Sequence, residues 1–153
     1  MSSASETKHQ LHAACLAFVE QRMATCQAAI DAAQESANSE TKSSAGDKYE
    51  TGRAMAQNER DRNAVQLHEA KQLLGELQRI APDRACDAVR PGALVTTSLG
   101  RFYVSISAGK LTVDGQDYFA VSAAAPVAQA LSGKRAGESA TFNGKAIRVE
   151  AVA

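Results

Sequence analysis

The feature that most constrains the fold is a long opening run without helix breakers. Residues 1–45 contain neither glycine nor proline. Apolar and small residues recur there at alternating spacings of three and four, which places them on one face of an α-helix. They are Leu16, Val19, Met23, Cys26, Ile30, Ala33 and Ala37. The sequence therefore predicts a long amphipathic helix, and Ser3 followed by Glu6 fits a capping box at its start.

A second run with the same spacing begins near Ser44. Its apolar members are Ala56, Leu67, Ala70, Leu74, Leu77 and Ala81. Pro82 ends this helix, because the residue before a proline is pushed out of the α region. Each helix has one apolar face and the break between them is short. We therefore expect an antiparallel coiled-coil hairpin over residues 1–82, with its turn near residues 41–44.

The pattern changes to strands after Pro82. Residues 83–87 are predicted to be a linker, and Phe102, Val104 and Ile106 alternate with other residues as in a strand. The dipeptides Asp-Gly at 114–115 and Asn-Gly at 143–144 are typical of type I′ hairpin turns. PVAQALSG, from Pro126 to Gly133, indicates one short helix. The predicted fold class is α+β, a helical hairpin followed by a small, mainly antiparallel sheet domain over 88–153.

Charge and hydropathy exclude several classes of partner. Seventeen basic and seventeen acidic residues leave no net charge, so no bulk attraction to nucleic acid or to an anionic membrane is expected. The first ten residues lack the basic and apolar regions of a signal peptide. The longest uncharged run, 118–133, is too polar to cross a bilayer. We expect a cytoplasmic protein with no membrane partner.

Cysteines and histidines give no pattern of metal ligands. Cys15, Cys26 and Cys86 lack ligand spacing, and we interpret them as small buried residues in a reducing compartment. The histidines, at 9, 12 and 68, have no cysteine or carboxylate at ligand spacing. We find no nucleophile–base pair, phosphate loop or dinucleotide motif. The chain is therefore expected to hold no metal or cofactor of its own and not to be an enzyme.

The C-terminal segment carries a resemblance to a known family. SAAAPVAQALSGKRAGESATFNGKAIRVEAV is similar to the closing segment of the Gre transcript-cleavage factors of bacterial RNA polymerase. That segment has a proline-led helix, then Leu-x-Gly-Lys, a Gly-Asp or Gly-Glu pair, and two final strands. The matching residues are Pro126, Leu131, Gly133, Lys134, Gly137 and Glu138. The predicted helical hairpin ahead of this segment also resembles the Gre architecture.

The resemblance implies a specific activity. Gre factors dock an FKBP-like C-terminal domain at the rim of the polymerase secondary channel and insert the hairpin into it. Acidic residues at the hairpin tip then help to hold an Mg²⁺ ion of the polymerase active site, which promotes hydrolysis of a backtracked transcript. The implied partner is RNA polymerase, with nucleic acid reached only indirectly inside the transcription complex. The chain is expected to be a monomer, with Pro126, Lys134 and Arg135 as implied partner contacts.

The tip departs from the family pattern. Gre tips have the form Gly-Asp-Leu-x-Glu-Asn-Ala-Glu-Tyr. When Tyr49 is aligned with the final tyrosine, the two tip acids fall on Lys42 and Ala45. The nearby acids of this chain that we predict to be functional are Glu40, Asp47 and Glu50. We therefore expect polymerase binding to carry over from the family better than stimulation of cleavage does.

Several features have a structural alternative. Asp47 follows Ser44 by three residues and can cap the second helix instead of acting on a metal. Arg60 and Asn63 interrupt the apolar face, either as a buried polar layer or with the arginine stem lying along the helices. Lys134 and Arg135 can be a solvated pair. At the level of function, the alternatives are a coiled-coil adaptor and an FKBP-like prolyl isomerase, which would need a deep aromatic pocket.

Overall fold

The structure is a computed structural model, which describes the backbone of residues 3–43 and 47–153 and the side chains of residues 3–38 and 51–153. Within these residues, two long helices precede a sheet and one short helix. The helices are α1 (Ala4–Ser43), α2 (Asp47–Gln78) and α3 (Pro126–Leu131). The strands are β1 (Leu94–Thr97), β2 (Arg101–Ser105), β3 (Gly109–Val113), β4 (Gln116–Ser122), β5 (Ser139–Phe142) and β6 (Lys145–Val152). This order confirms the predicted α+β class.

The ends of the long helices differ in part from the prediction. At the start of α1, the Ser3 hydroxyl accepts a hydrogen bond from the Glu6 amide at 3.2 Å, as a helix cap does. Helix α1 continues to Ser43, so the turn predicted near residues 41–44 is wrong, and the connection falls at 44–46, outside the described residues. Helix α2 ends at Gln78. The next two amides, of Arg79 and Ile80, donate to the carbonyls of Glu76 and Leu77, three residues before them, and not to carbonyls four residues before them as in an α-helix.

The chain divides into two compact units. The sheet unit comprises Met1–Phe18 and Gly75–Ala153, and the hairpin unit comprises Val19–Leu74. The sequence predicted one helical unit over residues 1–82, whereas in the structure both ends of that range belong with the strands. The reason is visible at the start of α1, where Leu11 and Cys15 are fully buried within the sheet unit.

The hairpin unit is an antiparallel pair of helices. Arg22 lies 4.0 Å from Glu69, and the Arg60 guanidinium donates to the Gln34 side chain at 3.0 Å. In these two contacts the residue number on α2 falls as the residue number on α1 rises, so the two helices are antiparallel. A turn near residues 41–44 would place Arg60 opposite Cys26. The contact with Gln34 shows that this register is wrong, because α1 extends further than predicted. The apolar face of α1 is buried as expected at Val19, Cys26, Ala33 and Ala37.

The sheet has six strands within the described residues, in the order β3-β4-β2-β1-β6-β5. Neighbouring strands are antiparallel except β2 and β4, which are parallel. Asp114 and Gly115 have φ of 52° and 75°, and Asn143 and Gly144 have 51° and 76°. A type I′ turn requires positive φ at both central residues, so both predicted hairpins are confirmed.

Both faces of the sheet are covered. On one face, Phe102 and Val104 belong to a buried cluster with Leu131 of α3. Successive residues of a strand point to opposite faces, so Tyr103 and Ser105 lie on the second face. They are 0% and 6% exposed, because the first turns of α1 pack there. A strand that is buried on both faces fixes the position of α1 against the sheet.

Candidate functional site

The three predicted tip acids lie where the two helices of the hairpin meet. Glu40 belongs to the last turns of α1, α2 begins at Asp47, and Glu50 is in its first turn. Their side chains are outside the described residues, as are Lys42 and Ala45 of the family alignment. Their role therefore stays a prediction from the sequence. Glu35, the acid before them on α1, is exposed.

The polar residues on the apolar face of α2 behave differently from one another. The Arg60 guanidinium reaches across to Gln34 and also pairs with Asp61 at 3.2 Å. Its side chain is 38% exposed, so the stem lies along the helices while the charged end meets solvent. The Asn63 amide donates to the Glu59 carbonyl of its own helix at 2.9 Å. Of the two, only Arg60 bonds to the opposite helix. Arg60 and Asn63 therefore do not form a buried polar layer between the helices.

The residues that carry the Gre resemblance form a helix and the turns after it. Pro126 opens α3, where a missing N–H costs no helical hydrogen bond. Leu131 is 1% exposed in the core. Gly133 and Gly137 have φ of 77° and 91°, the left-handed region that side chains other than glycine rarely adopt. The Glu138 carboxylate accepts from the Arg135 amide at 2.8 Å. These motif residues therefore have a defined structural duty.

Lys134 and Arg135 lie on a turn whose backbone is fixed. The Lys134 carbonyl accepts from the Val89 amide at 2.9 Å, and Val89 in turn accepts from the Gly133 amide at 2.9 Å. The Arg135 side chain is 65% exposed and pairs with Asp87 at 3.3 Å. No carboxylate in the described part of the chain pairs with Lys134. Two cationic side chains are thus available at a rigid turn, and α3 separates them from Pro126.

A buried lysine in the sheet unit was not predicted. Lys8 is 2% exposed, and its ammonium donates to the carbonyls of Arg84 at 2.8 Å and Ala153 at 3.3 Å. Burial lowers its pKa, partly opposed by the nearby Cys86. The Lys8 side chain therefore connects the start of α1 to the segments that contain Arg84 and Ala153, which are distant in sequence. The only signal in the sequence was its position, one turn before Leu11 on the face that becomes buried.

Two further polar pairs join α1 to β2. The Nδ1 atom of His12 lies 2.9 Å from the Tyr103 hydroxyl, and the Cys15 Sγ lies 3.6 Å from the Ser105 hydroxyl. Burial lowers the pKa of His12, with a smaller contribution from His9, and raises the pKa values of Cys15 and Tyr103. At neutral pH these groups are therefore uncharged. They position α1 rather than supply a charge.

Cys15, Cys26 and Cys86 are buried free thiols, so the predicted burial of the cysteines is confirmed. Within the described residues no group of three or more histidines, cysteines and carboxylates is placed to hold a metal ion. Among the aromatic residues of the sheet unit, Phe102, Tyr103 and Tyr118 are buried, while Phe119 is 41% exposed. No described helix is long and apolar enough to cross a membrane.

Comparison of the chain with models of protein families gives no match, and comparison with curated proteins finds no significant relative. The resemblance of the C-terminal segment to the Gre factors therefore stays an expectation from the sequence.

Proposed function

We propose that this protein binds RNA polymerase and modulates paused or backtracked transcription complexes in the manner of a Gre-like factor. The observation that carries the proposal is an antiparallel pair of long helices, joined where Glu40, Asp47 and Glu50 cluster in the sequence. An α+β unit with the Gre-like closing segment follows in the same chain. This combination favours an elongation factor over the other classes.

The dimensions and chemistry of the hairpin suit entry into a channel. At the helical rise per residue, the part of α1 that belongs to the hairpin unit, residues 19–43, is about 37 Å long. Ala33 and Ala37 are buried toward its far end, and such small residues let two helices approach closely. Carboxylates are the ligands that Mg²⁺ prefers. The acids would act on the Mg²⁺ of the polymerase, and the chain itself need hold no metal.

Docking is assigned to the sheet unit. Arg135 is exposed and Lys134 is half-buried, on a turn fixed by backbone hydrogen bonds. Pro126 is exposed at the start of α3. A surface of this kind presents two cations to a polymerase without reorganisation of the backbone. Binding through this surface and modulation through the acids are then separate properties.

The experiment uses stalled elongation complexes of a bacterial RNA polymerase. The parent protein and a Glu40→Gln/Asp47→Asn/Glu50→Gln variant are compared for retention on immobilised polymerase and for their effect on pausing and transcript cleavage. We expect equal retention, because docking belongs to the sheet unit. The variant should lose the effect on paused or backtracked complexes, because amides bind Mg²⁺ more weakly than carboxylates do.

A matched control removes the same charge elsewhere on the helices. Glu20, Asp31 and Glu59 are exposed, so Glu20→Gln/Asp31→Asn/Glu59→Gln should behave as the parent does. If the tip variant regulates transcription as well as the parent, the acids have no such role. If the parent is retained on the polymerase but changes neither pausing nor cleavage, the proposed binding stands and the proposed modulation fails.

A coiled-coil adaptor is the second candidate function. Met55 and Val65 on α2 are 67% and 59% exposed, and exposed apolar side chains on a helix favour a helical partner. Failure of the parent to bind polymerase, together with a helical partner that protects Met55 and Val65 from solvent, would select this function instead.

A further inference from the structure

A groove on the sheet unit lies outside all of the residues assigned above. It has a volume of about 370 Å³ and lies between the turn that joins β1 to β2 and the hairpin of β5 and β6. The residues that line it are Ser98, Leu99, Phe142, Asn143, Lys145, Ala146 and Ile147. Its features are an open strand edge, apolar walls and one charge.

The strand edge is the backbone of Ala146. The Val149 amide donates to Glu138, on the β5 side of β6, while the Arg148 amide donates to the Ser98 hydroxyl on the β1 side. Backbone groups alternate in direction along a strand, so the N–H and C=O of Ala146 point to the same side as those of Arg148. Strand β1 ends at Thr97 and no longer covers that side. Both groups of Ala146 therefore open into the groove, without a hydrogen-bond partner among the described residues.

The walls of the groove are largely apolar. Leu99 is 55% exposed at one side, Phe142 is half-buried at the other, and Ile147 is 2% exposed. On the far side of the β1–β2 turn, the Phe119 ring lies next to Gly100 and is 41% exposed. Leu99 and Phe119 are the large apolar side chains that the sheet unit exposes most among its strands and turns. Because Leu99 and Phe119 both lie at the β1–β2 turn, the apolar surface extends beyond the groove.

The charge in the groove has one sign. Lys145 is the only charged residue among those that line it. It is exposed and forms no ion pair with a carboxylate in the described part of the chain. An open strand edge with an unpaired cation beside apolar side chains is complementary to an extended chain with acidic and apolar residues.

We propose that this groove binds an extended acidic and apolar segment of a partner protein, which pairs as a short strand with β6 at Ala146. The N–H and C=O of Ala146 form one pair of backbone hydrogen bonds with the segment, and this pair sets the direction of the segment. An apolar side chain contacts Leu99 and Phe142, and a carboxylate lies near Lys145. This binding does not depend on the polymerase function proposed above.

The test uses the full chain and a short blocked peptide of alternating glutamate and isoleucine. Backbone amide spectra are recorded during titration with the peptide, and exchange of the Ala146 amide is measured with and without it. We expect saturable shifts centred on Ser98, Leu99 and Ala146, and slower exchange of the Ala146 amide. A lysine–isoleucine peptide with the same alternation should not give these shifts, because it would repel Lys145.

Two substitutions and one control define the contacts. Leu99→Ala should weaken binding roughly ten-fold through lost apolar contact. Lys145→Ala should weaken it about two- to five-fold, as expected for one partly exposed charge pair. Lys110→Ala, an exposed lysine on β3, should leave affinity unchanged. Both test residues are exposed, so the spectrum away from the groove should stay that of the parent; if Leu99→Ala perturbs the fold, Lys145→Ala alone decides.

Three results would overturn the proposal. The first is an absence of saturable shifts, or shifts centred away from Ala146. The second is equal binding of the lysine–isoleucine peptide, which would leave no role for charge. The third is a single-stranded oligonucleotide that gives the same shifts at lower concentration than the acidic peptide, which would assign the groove to nucleic acid.

Discussion

The imidazole Nδ1 of His12 lies 2.9 Å from the hydroxyl oxygen of Tyr103, and this pair connects helix α1 to the second strand of the sheet. Tyr103 is fully buried, and its ring meets the imidazole edge-on at a centroid distance of 6.2 Å. A hydrogen bond at such a partly buried position is costly to break on one side only, because the remaining polar atom is left without its partner. The pair therefore fixes how α1 sits against β2.

Removal of the hydroxyl should destabilise the protein. We expect Tyr103→Phe to lower the free energy of unfolding by about 1–2 kcal/mol, since the Nδ1 atom of His12 then lacks its partner. Chemical denaturation measures this directly. Tyr118→Phe is the matched control, because Tyr118 is also buried and its hydroxyl bonds to no described residue. Equal losses for the two variants would mean that the hydrogen bond adds nothing.

His12 should also make stability depend on pH. Burial lowers the pKa of His12 below the ordinary value of 6.5, and the unfolded chain therefore binds the proton first as the pH falls. The contribution to stability is fully present above pH 6.5 and is lost from there down to the pKa of the folded state. A His12→Gln variant should lose this part of the pH dependence in denaturation curves. His68→Gln, at an exposed position, should keep it.

Burial at the end of α2 is uneven. Leu77 is 1% exposed, whereas Leu74, one turn earlier, is half-buried. We expect Leu77→Ala to cost roughly 2–5 kcal/mol, the range for a leucine removed from a packed core, and Leu74→Ala to cost less. Thermal and chemical unfolding of both variants test this ranking. A larger loss for Leu74→Ala would show that the packing at this end differs from the structure.

The turn after α3 should contribute to polymerase binding. Lys134→Glu/Arg135→Glu reverses both charges and should weaken retention on RNA polymerase, with little change in stability, since the Arg135–Asp87 pair is exposed. The control reverses two charges elsewhere in the sheet unit, as Arg79→Glu/Lys110→Glu. Equal retention of the two double variants would remove Lys134 and Arg135 from the docking surface.

Local chemistry explains what the sequence predicted well. Asp114-Gly115 and Asn143-Gly144 require positive φ in any hairpin turn of this type, so both turns were predictable without knowledge of the rest of the fold. The 3/4 spacing likewise predicted the two long helices and part of their buried faces, although Ala81 lies beyond α2 and is exposed. The register of the hairpin was not predictable to the same degree. It depends on where α1 ends, and residues 38–46 contain no proline and no glycine before Gly46 to mark that end.

Contacts between distant segments explain what was missed. A lysine on a helix normally points to solvent, and Lys8 is buried because carbonyls 76 and 145 residues away accept from its ammonium. Alternation predicted that β2 is a strand, yet it does not show that α1 covers Tyr103 and Ser105 on the second face. The tip acids are known from the sequence alone, since their side chains are outside the described residues.

The central claim is that this chain binds RNA polymerase, and equilibrium binding of the purified full chain to purified bacterial core RNA polymerase tests it most directly. We predict saturable binding that Glu40→Gln/Asp47→Asn/Glu50→Gln leaves unchanged and that Lys134→Glu/Arg135→Glu weakens. An absence of saturable binding by the parent, with the folded state verified in the same sample, would show that this chain is not a polymerase-binding protein.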